Sequence, residues 1–424
     1  MSFIEGVHFL LMLRLKKDII IKSFYCFLIL LPFVDFFNGV VMLSLNIQIV
    51  GIAYRALFFL FMILSILIYF KVNQSILVVY SITALLFSLL FLQTAINGDI
   101  NYLFNDVSTL LKLLLSVFII EFSKKFIVGK QENYINRIVF LYSVFFPILL
   151  LIPYFLGMGN STYNNGGGFK GFFTATNDIT VVFIFLNIYM GDLFFKSFNK
   201  KQSYLKNGLV YLLNIACLVL IGTKTGIIFC LLWFLFLFFK EVILNIKITL
   251  ISRLKILFVS VFSLVFIVFI ILRFFSVPLL NTYNRVLYFY NLYSNNFVQF
   301  LTSSRSVFFE SALYFSKHTE NPFLKFIIGN GFKYREEKWG IGGLIEMDLA
   351  DTFFSIGIIG LVIVLLYYFK FIVLSIKSLN SNIFSVSFLV MFLYSVFAGH
   401  VLYSALSSTL LGIACTSLLK NSKE

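Results

Sequence analysis

Charge is the scarcest property of this sequence. Only 12% of its 424 residues are Asp, Glu, Lys or Arg, about half the share of an ordinary soluble domain. A water-soluble fold of this length could not hide the remaining apolar surface in one core. Cysteine is nearly absent. Cys26, Cys217, Cys230 and Cys415 each lie in an apolar run without metal-ligand spacing, so neither a metal module nor a disulfide framework is expected. No metal and no cofactor are called for. The first apolar run lacks a small-residue cleavage site and reads as an uncleaved first span. There is no low-complexity linker, no internal repeat and no inverted-repeat signature of a transporter.

What fills the chain is hydrocarbon. Hydrophobic residues make up 60% of it, with 57 Phe and a mean hydropathy of +0.99. The abundance of Phe beside Ile, Leu, Asn and Lys points to an AT-biased coding sequence, so the aromatic richness is mostly compositional. Runs of spanning length recur from end to end. They fall at residues 18–37, 49–70, 76–93, 106–122, 137–156, 179–195, 208–221, 225–244, 256–276, 351–374, 382–398 and 402–418. The expected fold is an all-α polytopic membrane protein of about twelve transmembrane helices. Residues 1–424 form a single transmembrane domain, with one long loop at 278–350 between the ninth and tenth spans.

Basic residues orient this bundle. With the N-terminus in the cytoplasm, most lysines and arginines fall in cytoplasmic segments, among them Lys16, Lys17, Lys124, Lys125, Lys200, Lys201, Lys247, Arg253, Lys370 and Lys377. The short outer segments hold few, such as Arg55, Lys170 and Lys224. Such a bias sets both termini inside and the 278–350 loop outside. The net charge of +15 then needs no nucleic-acid partner; cytoplasmic loops touching anionic lipid headgroups account for it.

The long loop is too long for a plain connector. An amphipathic helix is expected at 306–318, ended by Asn321-Pro322, with Gly329-Asn330-Gly331 as a turn. Its charges nearly balance, so it is no polybasic arm.

Candidate chemistry collects on the outer side. Asn164-Asn165-Gly166-Gly167-Gly168-Phe169-Lys170 could bring backbone amides and an ammonium to an anion, or be a flexible exposed loop. In Gly222-Thr223-Lys224-Thr225-Gly226 a lysine between two hydroxyls suits a phosphate oxygen; the plainer reading is a snorkelling lysine. Arg305, after Ser303-Ser304 at a helix start, can hold a diphosphate or pair with Glu310. Lys112 lies two turns inside a span, where a lone charge is costly. Before the tenth span stand Glu346, Asp348 and Asp351. Asp351 is expected to cap the helix, and Glu346 or Asp348 to act as general base. His400, in the last outer hairpin, is the second base candidate.

On these stretches the sequence resembles the O-antigen polymerase/O-antigen ligase family of membrane glycosyltransferases. The likeness is carried by Gly168-Phe169-Lys170-Gly171-Phe172-Phe173 with Asn177, by Gly222–Gly226, by Ser304-Arg305, and by Gly329-Asn330-Gly331. It continues in Glu346-Met347-Asp348 with Asp351 and Gly357-Ile358-Ile359-Gly360, and in Ala398-Gly399-His400-Val401. The resemblance implies a glycosyltransferase-C-like fold in the cell membrane. The implied activity joins oligosaccharide repeat units carried on undecaprenyl diphosphate, independently of metal. Lys170, Lys224, Arg305 and Asn177 would bind the diphosphate, and Glu346, Asp348 or His400 would serve the acceptor hydroxyl. Partners would be the lipid-linked oligosaccharide, membrane lipids, and the flippase and chain-length regulator of the same pathway. The ligase branch has a histidine just before its chain returns to the membrane; Glu346-Met347-Asp348 stands there instead, which favours a polymerase. A ligase and a lipid-linked oligosaccharide flippase are the competing readings.

Overall fold

The computed structural model describes residues 3–45, 49–71, 73–128, 133–199, 203–240, 273–293 and 296–420, with scattered positions between 254 and 269. It is 83% helical and is an all-α polytopic membrane protein. Among the described residues, eight helices are long and apolar enough to cross a membrane, and three shorter apolar helices accompany them. The span expected at 256–276 and the end of the one at 225–244 lie largely outside the described residues. Helices are the only open-chain way to satisfy every backbone group in hydrocarbon.

The first half runs as α1 (Phe3–Leu45), α2 (Ile49–Tyr69), α3 (Gln74–Asn97), α4 (Asn101–Phe126) and α5 (Asn133–Phe155). A small antiparallel hairpin follows, β1 (Asn160–Ser161) against β2 (Phe169–Gly171). Then come α6 (Thr176–Asn199), α7 (Tyr204–Ile221) and α8 (Lys224–Phe238). Local chemistry sets several of these ends. The Asn73 side chain caps α3 by accepting from the Ile76 amide, and Thr223 caps α8 by accepting from Gly226.

The long loop is a stack of short helices: α9 (Ser276–Leu292), α10 (Phe297–Thr302), α11 (Arg305–His318), α12 (Pro322–Ile328) and α13 (Phe332–Lys338). A turn of 3-10 helix, Gly340–Gly342, follows. The chain then returns through α14 (Asp348–Lys377), α15 (Ile383–Phe397) and α16 (Ala405–Lys420).

Helix α6 is the axis of the bundle. It is buried along nearly its whole length, packed by α5, α7, α8, α15 and α16. Helix α16 approaches α4 closely at a small residue: a Cβ on Gly412 would lie 3.1 Å from Ser116 Cα and Ile119 Cβ, and Ser408, Thr409, Ala414 and Cys415 on the same helix are fully buried. Small side chains are what bring helices together where lipid removes the hydrophobic drive. Large apolar side chains such as Ile68, Leu232 and Leu366 point outward instead, as a lipid-facing surface requires.

One break in α14 ties the loop to the bundle. Gly357 has φ 73° and ψ −174° within the helix, which frees the carbonyls one turn before it. The Gly329–Gly331 segment fills the gap: Asn330 N donates to Phe354 O at 3.0 Å and Gly331 N to Ser355 O at 2.9 Å. A Cβ on Gly329 would lie 2.3 Å from Ser355 O, and one on Gly357 2.2 Å from Ile327 O. Gln93 of α3 donates to Ser355 O and to Ile328 O. The two glycine motifs of the sequence are thus opposite halves of one junction, and irregular backbone is tolerated there because protein satisfies it.

Candidate functional site

Above this junction the loop helices and the ends of four bundle helices enclose a cavity of about 450 Å³. Its wall is assembled from distant parts of the chain: Tyr163 from the hairpin, Asn177 from the first turn of α6, Lys224 from the α7–α8 turn, Arg285 from α9, Arg305 from α11 and Glu346 before α14. Lys224, Arg285 and Arg305 make one side strongly cationic.

The backbone aims Arg305 by unusual means. Ser303 and Ser304 both have positive φ, 52° and 69°, reversing the chain between α10 and α11. The Ser304 hydroxyl meets Tyr293 Oη at 2.7 Å. Arg305 Nη2 donates to Glu346 Oε2 at 2.8 Å, and Asn177 Nδ2 lies 3.4 Å from the same oxygen. Lys224 Nζ sits 4.2 Å over the Phe300 ring, and the Arg285 guanidinium stacks 3.8 Å from the centre of Tyr163. An aromatic face holds a cation without neutralising it, so both remain available to an anion.

Behind Glu346 stands His400, with Nε2 at 3.9 Å from Glu346 Oε1. Both residues have φ of 61°. Backbone strain of this kind persists only where the surroundings impose it, and here Asp348 does so. Its Oδ1 accepts from the His400 amide, and its Oδ2 accepts from the Val401 and Leu402 amides, all at 2.8 Å. In the first turn of α16, the Ser407 amide donates to Asp178 of α6 at 2.9 Å. The expectation that Asp348 serves as a base gives way on this geometry: its carboxylate is buried, is spent on three amides and does not line the cavity. It anchors the histidine.

The electrostatics follow. His400, then Arg305, hold the Glu346 carboxyl down at about 2 against the desolvation that would raise it. Burial pulls His400 down, but Glu346, Asp348 and Asp178 outweigh it, and its net shift is upward. Each group therefore favours the charged form of the other.

Other candidates fall elsewhere. Lys170 is not in the cavity wall; its Nζ donates to Thr174 O at 3.0 Å, and burial lowers its pKa. The three cations Lys170, Lys224 and Arg305 therefore do not share one cavity. Asp351 is not the N-cap of α14, a place taken by Met347. Its carboxylate accepts from the Ile345 and Met347 amides and from Arg335. Arg305 pairs with Glu346, not Glu310. Lys112 neither lines the cavity nor stands alone: Arg55, Asp178 and Asp35 are its charged neighbours. Among the described residues, no group of three or more His, Cys, Asp and Glu could hold a metal ion.

Sequence reading missed Arg285 and the aromatic wall of Tyr163, Phe289, Tyr293 and Tyr394. In the sequence Arg285 is one charge of the nearly balanced 278–350 loop. Its one signal was position, one turn before Phe289 on a helix that returns over the hairpin.

The fold and this cavity define a multi-pass membrane protein with a cationic cavity, bordered by a carboxylate backed by a histidine, at one end of its helices. Residues 288–424 match the model of a family described as O-antigen ligase like membrane protein. Arg305, Glu346, Asp348 and His400 lie inside the matched segment; Asn177, Lys224 and Arg285 lie before it. No curated protein and no solved structure matches the chain.

Proposed function

We propose that the protein is a polysaccharide polymerase, joining undecaprenyl-diphosphate-linked oligosaccharide units on the extracytoplasmic face of a bacterial cell membrane. The observation that carries this reading is the Arg305–Glu346 pair at the wall of a cavity whose remaining charges are cationic. An incoming diphosphate competes for Arg305, Lys224 and Arg285. Arg305 then turns from Glu346 to phosphate, and the Glu346–His400 pair is released for acid–base work.

In the reaction the acceptor hydroxyl attacks the anomeric carbon of the donor glycan. A new carbon–oxygen bond forms as the bond from that carbon to the diphosphate breaks, and undecaprenyl diphosphate leaves with the electron pair. The hydroxyl proton passes to the Glu346 carboxylate, which lines the cavity and becomes more basic as Arg305 leaves it, with His400 behind it. The cations stabilise charge that grows on the leaving diphosphate, where fixed donors contribute most. No step in this scheme calls on a metal. The aromatic wall offers flat faces to the apolar side of sugar rings, and Asn177 fixes the carboxylate.

The test is to incubate purified protein with an undecaprenyl-diphosphate-linked repeat unit. Lengthened lipid-linked glycans support the polymerase. A ligase, which the family description favours, would give no lengthening and would transfer glycan only to an added acceptor of another class. Unchanged substrate moved across a vesicle membrane would mean a flippase.

A further inference from the structure

A second large cavity, about 380 Å³, lies at the other end of α6. The site cavity touches Thr176 and Asn177 at the start of that helix, and this one touches Asp192 and Lys196 toward its finish. From Asn177 to Asp192 and Lys196 helix α6 rises about 23–29 Å, so the two cavities lie near opposite faces of the hydrocarbon layer.

The cavity has two chemically different parts. Its depth is apolar, made by Trp233 and Leu237 of α8, both buried. The indole is fixed by donating to Asn187 O at 3.2 Å. Its rim is polar and cationic: Lys196, Lys240, and Asn380 of the α14–α15 turn. Lys196 pairs with Asp192 at 2.7 Å. Among the described residues lining the cavity, two ammonium groups face one carboxylate. Beside it, α8 presents an exposed apolar strip that includes Leu232, Leu235, Phe236 and Phe239.

A cationic rim, an aromatic floor and an adjoining apolar strip suit a ligand with a phosphate at one end and a hydrocarbon chain at the other. We propose that this cavity binds an anionic phospholipid of the leaflet at that end of the bundle. Its phosphate lies between the Lys240 and Lys196 ammonium groups, and its first acyl carbons lie along Phe236 and Leu232. Basic pockets between transmembrane helices hold acidic headgroups by this combination of charge and depth. A zwitterionic lipid satisfies the acyl strip but brings its own cation to a rim that presents two ammonium groups. The assignment is independent of the proposed activity, because it uses none of the residues of the site.

The chain has two tryptophans, Trp233 and Trp339, so Trp339→Phe makes Trp233 the sole indole reporter. Trp233 is buried, and bulk lipid does not reach it. Phosphatidylglycerol brominated near the headgroup end of its acyl chains, doped at low mole fraction into phosphatidylcholine nanodiscs, should quench Trp233 saturably. Brominated phosphatidylcholine at the same fraction should not. Lys240→Gln should raise the half-saturating fraction about fivefold, from about 1 kcal/mol per lysine near the surface. Equal quenching by the two lipids, or none by either, would overturn the proposal. Displacement by low-millimolar inorganic phosphate would replace it with a free-anion site. Should Trp339→Phe not fold, native mass spectrometry of the wild-type chain with the same lipids reads the same contrast. Retained phosphatidylglycerol adducts, lost in Lys240→Gln, support the site, and adducts indifferent to headgroup refute it.

Discussion

Two arginine–carboxylate pairs stand in the same loop and do different work. Arg335 Nη2 meets Asp351 Oδ1 at 3.0 Å, with side chains only 1% and 7% exposed. Arg305 Nη2 meets Glu346 Oε2 at 2.8 Å, with side chains 12% and 36% exposed. Around Arg335 the protein closes every side. Ser355 Oγ accepts at 2.6 Å, the carbonyls of Asp351 and Gly342 accept further bonds, and Trp339 and Phe354 cover the guanidinium. Around Arg305 the protein supplies one carboxylate and the Thr302 carbonyl at 3.4 Å, and leaves the rest to the cavity. A guanidinium with no open side can only hold the fold; one whose partner can be exchanged can bind a substrate.

Substitutions sharpen that contrast. The largest loss of stability is expected for Arg335→Met, which strands the buried Asp351 charge and should cost about 3–5 kcal/mol. Thermal denaturation in detergent and proteolysis of the 303–345 segment would register it. A stable Arg335→Met protein that makes no polymer would instead move Arg335 into the site. Asp348→Asn comes next. It sets an amide against three backbone donors, and a buried unmet donor costs about 1–3 kcal/mol. Activity should fall with it as the His400 hairpin loosens, and hydrogen exchange at residues 400–402 would rise. No change in exchange there would remove Asp348 as the anchor.

The pH dependence of stability gives a third, smaller effect. The depressed Glu346 carboxyl stabilises the fold above its ordinary value of 4.5 and loses that contribution as pH falls toward about 2. The raised His400 contributes fully below its ordinary 6.5 and loses its share as pH rises through its elevated value. The Tm gap between wild type and Glu346→Gln should therefore be widest between pH 4.5 and 6.5 and narrow above it. A gap that grows steadily toward alkaline pH would contradict the pairing. Smallest of all is Lys170→Gln. Outside the cavity wall, it should change polymer formation by no more than about twofold, the range of surface substitutions. A large loss would return Lys170 to the site.

The long helices were legible because hydrocarbon runs have no other stable fold in lipid, and α6 and α14 follow from composition alone. Residue types at the site were partly legible: Lys224, Arg305, Asn177 and Glu346 carry recognisable chemistry. Their meeting in one cavity, and Arg285 beside them, depend on how α9 and α11 pack over the hairpin, which no local pattern encodes. Asp348 and Asp351 show the same limit. Both acidic residues open α14, yet their partners are His400, Val401 and Leu402 for one and Arg335 for the other. The 399–402 turn folds back on Asp348, and Arg335 follows the Gly329–Gly331 segment that docks on the Gly357 break.

The central claim is that Arg305 is held by Glu346 in a pair that substrate exchanges. Its most direct measurement is the lengthening of an undecaprenyl-diphosphate-linked repeat unit by purified wild-type and Arg305→Met proteins, each normalised to folded protein by thermal melting. The account predicts that wild type lengthens the glycan, and that Arg305→Met melts within a few degrees of it while its rate falls about 10²–10³-fold. An Arg305→Met protein that polymerises at the wild-type rate would contradict the account.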